Sequence, residues 1–266
     1  MTGLVTALAF VLALVSSKRA RAGARGCDCP GLPQPCVEVP RCGSQRHSAP
    51  AIVVDTQSSG AEGSFSHAES TEICHTESGL NLAFRLFNQS VTASLKSDYS
   101  TCNSAIYNLD VIEVFIAPTS VDPHCYSELD VSMRNTPFLA GIFNPSLNHS
   151  GISDTLLDCA TTDVVHETVY AGVEQTQTWT ASFKLPWGVI DKPAGCPESQ
   201  VQVQPEGSIA GKVYRANVFR IISMTDSVMD TQKCTADLCQ YLAWAPNGVS
   251  PPSFHEPKFF GTLVLV

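Results

Sequence analysis

Positive charge is what this chain has least of. Against 25 acidic residues it carries 16 lysines and arginines, for a formal charge of −9. A nucleic-acid partner is excluded on that ground, because neutralising phosphates needs a basic face. Charge of either sign is sparse, at 15% of residues, while 44% are hydrophobic. That excludes a disordered chain, which has too little apolar surface to offset its conformational entropy. Long hydrophobic runs are missing too. The run from Leu4 to Val15 has twelve residues, short of the roughly 20 that span a bilayer as a helix. Catalytic signatures are absent as well: there is no G-x-S-x-G, no H-E-x-x-H, no P-loop and no G-x-G-x-x-G after a strand. The seven histidines form no i, i+2 or i, i+4 pair of the metal-binding kind. The many carboxylates read as solvated loop acids rather than as a glycosidase pair. An enzyme is not indicated.

What the chain does have in quantity is cysteine. Eleven of them point to an oxidising compartment. The twelve-residue apolar run fits a signal-peptide core, and the small residues Ala20 to Ala24 fit a cleavage site after Ala24. Residues 1–24 are therefore expected to be removed, which takes away three basic residues and leaves a charge of −12. The basic cluster Lys18, Arg19 and Arg21 keeps a signal anchor as the alternative. With the signal cleaved, the protein is expected to be secreted and free of the membrane. Two N-x-[ST] sequons, at Asn88 and Asn148, are candidate glycosylation sites on exposed loops or strand ends.

Residues 25–48 gather Cys27, Cys29, Cys36 and Cys42 among prolines. The spacing is not that of a zinc site, and a disulfide-stapled N-terminal cap is the better reading. Residues 49–266 show no convincing long helix. They alternate apolar and polar residues between turn signals, a strand signature. In Leu80 to Phe87, the residues Leu80, Leu82, Phe84 and Leu86 share a face. In Thr178 to Leu185, Trp179, Ala181, Phe183 and Leu185 do the same. Val111 to Ile116 is apolar on both faces except for Glu113. Tyr126 to Met133 sets Leu129, Val131 and Met133 against Glu128, Asp130 and Ser132. Val213 to Ile222 and Gly261 to Val266 complete the strands. The expected fold is all-β: a two-sheet antiparallel β-sandwich of immunoglobulin or jelly-roll type, after a short disulfide-rich N-terminal segment. Pairing of the cysteines is not fixed by sequence. Cys102 with Cys125, bracketing one strand, and Cys234 with Cys239, closing a local loop, are candidate pairs. The odd total leaves a free thiol or an intermolecular bond.

Three stretches resemble the family 9 carbohydrate-binding module and its DOMON-like relatives. They are LNLAFRLFN from Leu80, followed by AIYNLDVIEVFIAP from Ala105 and Tyr126 to Asn135; then WTASFKLPWGVI from Trp179, followed by YRANVFRI from Tyr214; and finally YLAWAPNGVSPPSFHEPKFFGTLV from Tyr241. The D-x-x-E-x-F strand, the Trp-to-Pro strand, the N-x-x-R strand and the F-H-x-P-x-x-F-G ending come in the family's order over roughly residues 50–266. The resemblance implies a glycan or polysaccharide partner held between two aromatic rings, here Tyr107 and Phe254, by a non-catalytic module of the kind attached to polysaccharide-degrading enzymes. It assigns polar contacts to Glu113, Asn217, Arg220 and His255. The chain departs from the family where Ser182 replaces an acid, where Asp130 stands at a sugar-holding arginine, and where the clamp tryptophans are Tyr and Phe.

Each assignment has a structural alternative. Tyr107 can anchor a loop, and His255 can cap the last turn. Glu113 and Arg220 can pair with each other inside the sandwich, since an unpaired buried charge is costly. Trp244 reads as packing, and Trp179 and Trp187 as core or core edge. Two other functions compete. A haem or redox domain on the same sandwich needs axial ligands, for which Met133 with His124 or His166 are the candidates. A protein-binding sandwich without sugar is the other. No cofactor is certain. Structural calcium, carried by some relatives, suits the acidic loops, although no loop has a strong ligand spacing.

Overall fold

The computed structural model describes residues 31–44, 51–60, 67–87, 99–170, 178–202, 207–224 and 233–266. The leader, Cys27, Cys29 and the Asn88 sequon lie outside them. The described residues form an all-β sandwich. Its small sheet runs in the order β10 (Val165–Tyr170), β11 (Thr178–Pro186), β5 (Gly79–Phe87), β4 (His67–His75) and β2 (Val53–Val54). Its large sheet runs β1 (Cys36–Val39), β14 (Gly261–Leu265), β12 (Val213–Ser223), β6 (Val111–Ala117), β7 (Cys125–Ser132), β8 (Pro137–Phe143) and β9 (Ser153–Leu156). A further strand, β13 (Cys239–Ala243), pairs with β12 and with β3 (Thr56–Gln57). The pairings are antiparallel except that of β1 with β14. The segment expected as a cap thus supplies an edge strand of the large sheet, and a Cys42–Cys74 disulfide ties it to β4 of the small sheet.

Alternation explains the layers. In the small sheet Leu82 lies opposite Phe183, Phe84 opposite Ala181 and Leu86 opposite Trp179, so one face of β5 and β11 is apolar. That face packs on Ile112, Val114 and Ile116 of β6, Leu129 and Val131 of β7, and Tyr214, Ala216 and Val218 of β12. This is the inter-sheet core. The large sheet is buried on its other face too. Val111, Phe115, Tyr126, Phe138, Ala140, Ile142, Phe219, Ile221 and Ala243 form a second apolar cluster there, under Ile106, Leu109 and Phe260 from connecting segments. The two-sided apolarity of VIEVFI has its reason in this second layer: every residue of β6 is buried.

Disulfides fasten the connections. Cys102 bonds Cys159 and Cys125 bonds Cys196, which corrects the expected Cys102–Cys125 pair. Their partners lie in the connection after β9 (Cys159) and in the connection after β11 (Cys196). Cys234 bonds Cys239 as expected, and Cys36 is also disulfide-bonded. No described cysteine is free. Among the described residues, no helix is long and apolar enough to cross a membrane.

Candidate functional site

A cavity of 480 Å³ opens on the outer face of the large sheet, within the size range of small-molecule sites. Its base is Glu113 of β6, Glu128 of β7, Phe138 and Ile142 of β8, Ile221 of β12 and Tyr241 of β13. Its walls are Tyr107, the 144–152 connection and the 251–256 loop.

Tyr107 belongs to a 3-10 turn (Ile106–Asn108). Ile106 and Leu109 are sunk in the second apolar layer; the ring between them is left 42% exposed and meets Phe138 edge-on at 5.4 Å. Phe254 is half-buried, with one face stacked on Phe219 at 4.1 Å. Its loop is held by polar bonds to the backbone. Asn247 Nδ2 donates to the Ser253 carbonyl, and Asn144 Nδ2 donates to the His255 carbonyl at 3.2 Å. Just beyond, the buried Arg215 donates to the carbonyls of Pro257, Lys258 and Phe260. Such bonds fix a loop that sheet pairing does not reach.

Four of the six expected site residues, Tyr107, Phe254, Glu113 and His255, line this cavity. Asn217 and Arg220 do not. Asn217 Nδ2 donates to the Ala245 carbonyl at 2.8 Å and its Oδ1 accepts from the Ala245 amide, so it anchors the end of β13. Arg220 is fully buried and pairs with Asp110 at 2.6 Å, over the ring of Trp179. The expected Glu113–Arg220 pair is therefore not formed. Glu113 lies opposite Phe219 and Arg220 opposite Ile112, and consecutive strand residues point to opposite faces. Asn148, the second sequon, lies in the 144–152 connection beside His149 of the cavity wall. Of the haem-ligand candidates, Met133 packs in the inter-sheet core. His124 contacts the Asn144 carbonyl at 3.1 Å and His166 the Asn135 side chain at 3.0 Å. None of the three lines the cavity.

The base of the cavity is acidic beyond what the sequence reading expected. Glu113, Glu128 and Asp130 are all buried, and one oxygen from each lies within 4.8 Å of the others. Asp130 lies directly across from Glu113 on the neighbouring strand. Glu113 Oε1 has no hydrogen-bond partner among the described residues, while Glu128 and Asp130 are hydrogen-bonded to each other. Burial raises all three pKa values. Glu128 is pushed up to about 8, with the charge of Asp154 adding to burial. Glu113 is held well above the usual carboxylate range by burial and then by Glu128, and Asp130 by burial and then by the other two acids. His255 donates no compensating charge. Burial lowers it to about 4, so its 3.9 Å approach to Glu128 is that of a neutral ring at pH 7. Its Nδ1 lies 2.9 Å from the Tyr126 hydroxyl. Among the described residues, no lysine or arginine lines the cavity. The other acid and thiol cluster, Cys42, Glu72 and Cys74, is spent on the Cys42–Cys74 disulfide.

Glu128 was given no role by the sequence reading, and Asp130 was named only as standing at the position of a sugar-holding arginine. The signal was present in the adjoining strand. A strand apolar on both faces means that both faces of its sheet are covered, so acids on a paired strand are covered too.

No family model matches the chain. An extracellular protein of the fungus Arthroderma benhamiae is 28% identical over 174 residues, taking in 62% of this chain. The chain spans 64% of that relative's length, under two thirds of it. A solved structure from Bacteroides uniformis ATCC 8492, a protein provisionally named carbohydrate-binding, superposes with a TM-score of 0.57 at 18% identity, covering 87% of this chain and 99% of the other. At that identity the likeness is one of fold.

Proposed function

We propose that this chain is a secreted, non-catalytic protein that binds a glycan in the outer-face cavity, with the sugar held between Tyr107 and Phe254. One observation carries the reading: two aromatic side chains from distant parts of the chain line the same cavity, with polar groups between them. A sugar ring has apolar C–H faces and hydroxyl edges. Aromatic faces cover the first, and carboxyl, imidazole and hydroxyl groups take the second. Glu113, Glu128, His149, Asp154, Tyr241, Ser253 and His255 are polar residues lining the same cavity, within reach of such a ligand. The provisional name of the Bacteroides protein that shares the fold supports the ligand class. The extracellular fungal relative and the disulfides support secretion.

A glycan array followed by titration calorimetry tests this on wild type, Tyr107→Ala and Phe254→Ala. Each substitution is expected to weaken the bound glycan about tenfold or more, the equivalent of about 1.4 kcal/mol. Tyr107→Ala should lower the melting temperature only slightly, because the residue is 42% exposed and its ring meets Phe138 only edge-on. Phe254→Ala also loses its stack on Phe219, so its affinity is compared well below its melting point. Unchanged affinity in both variants overturns the clamp, and so does the absence of any bound glycan.

A further inference from the structure

We propose that Asn148 carries an N-linked glycan that stands at the mouth of the cavity and restricts entry to it. The inference concerns access to the cavity and does not need a sugar as its ligand. Asn148, His149 and Ser150 form an N-x-[ST] triplet, in the 144–152 connection, with His149 and Ser150 exposed. The asparagine is held ready for modification. Its Oδ1 accepts from the Ser150 amide at 2.7 Å, which folds the side chain towards the serine that completes the triplet. The hydrogen bonds of Asn148 to other described residues are made by its backbone amide and by Oδ1. Nδ2, the atom to which an N-glycan is attached, is left uncommitted among them. The disulfides and the extracellular fungal relative support secretion, the route on which such triplets are modified.

The place of attachment is what gives the glycan a role. The Asn148 amide donates to Asn144 Oδ1 at 3.2 Å, and Asn144 Nδ2 donates to the His255 carbonyl at 3.2 Å. One buried side chain, that of Asn144, therefore ties the root of the glycan to the loop that carries Phe254. On the other side, His149, Gly151 and Ile152 line the cavity themselves. The root thus lies where two walls of the cavity meet. An N-glycan is bulky and well hydrated, and the cavity beside it holds 480 Å³. A group of that kind at the rim takes up space through which a ligand reaches the exposed ring of Tyr107.

The test uses the full chain secreted from a eukaryotic host that attaches N-glycans. Enzymatic release of the glycan in heavy-oxygen water, followed by peptide mass spectrometry, should mark position 148. Ser150→Ala removes the triplet while keeping Asn148, and should lose the mark. Ser150→Thr keeps the triplet and should retain it. Hydroxyl-radical footprinting then reads access with no ligand present. Tyr107 should be oxidised about twofold or more slowly in the glycosylated protein than in Ser150→Ala, because a bulky group shields it. Tyr170, on β10 of the small sheet, should react at the same rate in both. Wild type deglycosylated after folding should behave like Ser150→Ala, which separates loss of the glycan from any effect of the substitution on the fold. Where the glycan array yields a ligand, the glycosylated protein should bind it about threefold or more weakly than the deglycosylated one, a difference of about 0.6 kcal/mol. An unmodified position 148 overturns the proposal, and so does a Tyr107 rate or an affinity that is the same with and without the glycan. Failure to bind any sugar overturns the sugar reading and leaves the footprint to decide this one, so the two readings fail separately.

Discussion

Buried acids meet two different fates in this molecule. On the inner face Asp110 has Arg220 at 2.6 Å, both fully buried. Removing one partner of such a pair strands the other charge, at a cost of about 3–5 kcal/mol. Asp110→Asn should lower the unfolding free energy by that order in a denaturant titration, and a loss under about 1 kcal/mol would deny the pair its structural weight. On the outer face the acids oppose one another, so removing one has the reverse sign. Glu128 is faced by Glu113 from β6, Asp130 on its own strand, Asp154 from β9, and His255 from the 251–256 loop. Its folded pKa is about 8 against an ordinary 4.5. Between those values the unfolded chain has ionised and the folded one has not. Stability therefore falls as pH rises through that window, by at most about 1.4 kcal/mol per pH unit. Gln cannot ionise. Glu128→Gln should melt close to wild type near pH 5 and progressively above it towards pH 9. A gap that stays constant with pH would refute the buried charge.

A single strand carries information about its faces and none about what covers them, and this sets how much of the fold was legible. The strands with clean alternation or two-sided apolarity were read from the residues: β5, β6, β7, β11, β12 and β14. β4 was not, because a register shift between Ser70 and Glu72 breaks its alternation. Nor were β9 and β10, which lie at the two sheet edges with largely exposed residues and need no apolar face. The site was legible in the same proportion. The ordered motifs named Tyr107, Phe254, Glu113 and His255, which line one cavity, while the facing of Asn217 and Arg220 depends on strand register, which no motif states. Close packing between elements is equally invisible. Gly141 of β8 lies so near the connection after the short helix Trp187–Ile190 that an added Cβ would stand 2.2 Å from the Ala194 carbonyl oxygen. That contact is with backbone and cannot rotate away. Gly141→Ala should cost about 1–3 kcal/mol by denaturant titration, and a neutral result would mean that the connection yields freely.

At the scale of the whole molecule, stability and site geometry are joined by where the disulfides close the chain. In the chain-entropy account, a cross-link stabilises in proportion to the logarithm of the loop it closes. Cys102–Cys159 closes a separation of 57 residues and Cys234–Cys239 one of 5, which gives about 4 and about 2 kcal/mol respectively. The longer link also has a position that the shorter one lacks. Cys102 lies five residues before Tyr107 and Cys159 five after Asp154, both of which line the cavity. It therefore ties the turn that carries one wall to the edge strand that carries another. The Asn103 side chain adds to the tie, donating to the Leu157 carbonyl and accepting from the Leu139 amide. Cys102→Ala/Cys159→Ala should lose more unfolding free energy than Cys234→Ala/Cys239→Ala. It should also weaken whatever ligand the cavity holds under conditions where the variant remains folded, because Tyr107 is no longer held in place before binding. Denaturant titration of both variants, with calorimetry on the folded fraction, measures the two effects separately. If the short link proves the more stabilising, the order comes from native-state contacts rather than loop closure. If affinity is indifferent to the long link, the wall is positioned by Ile106 and Leu109 in the apolar layer alone.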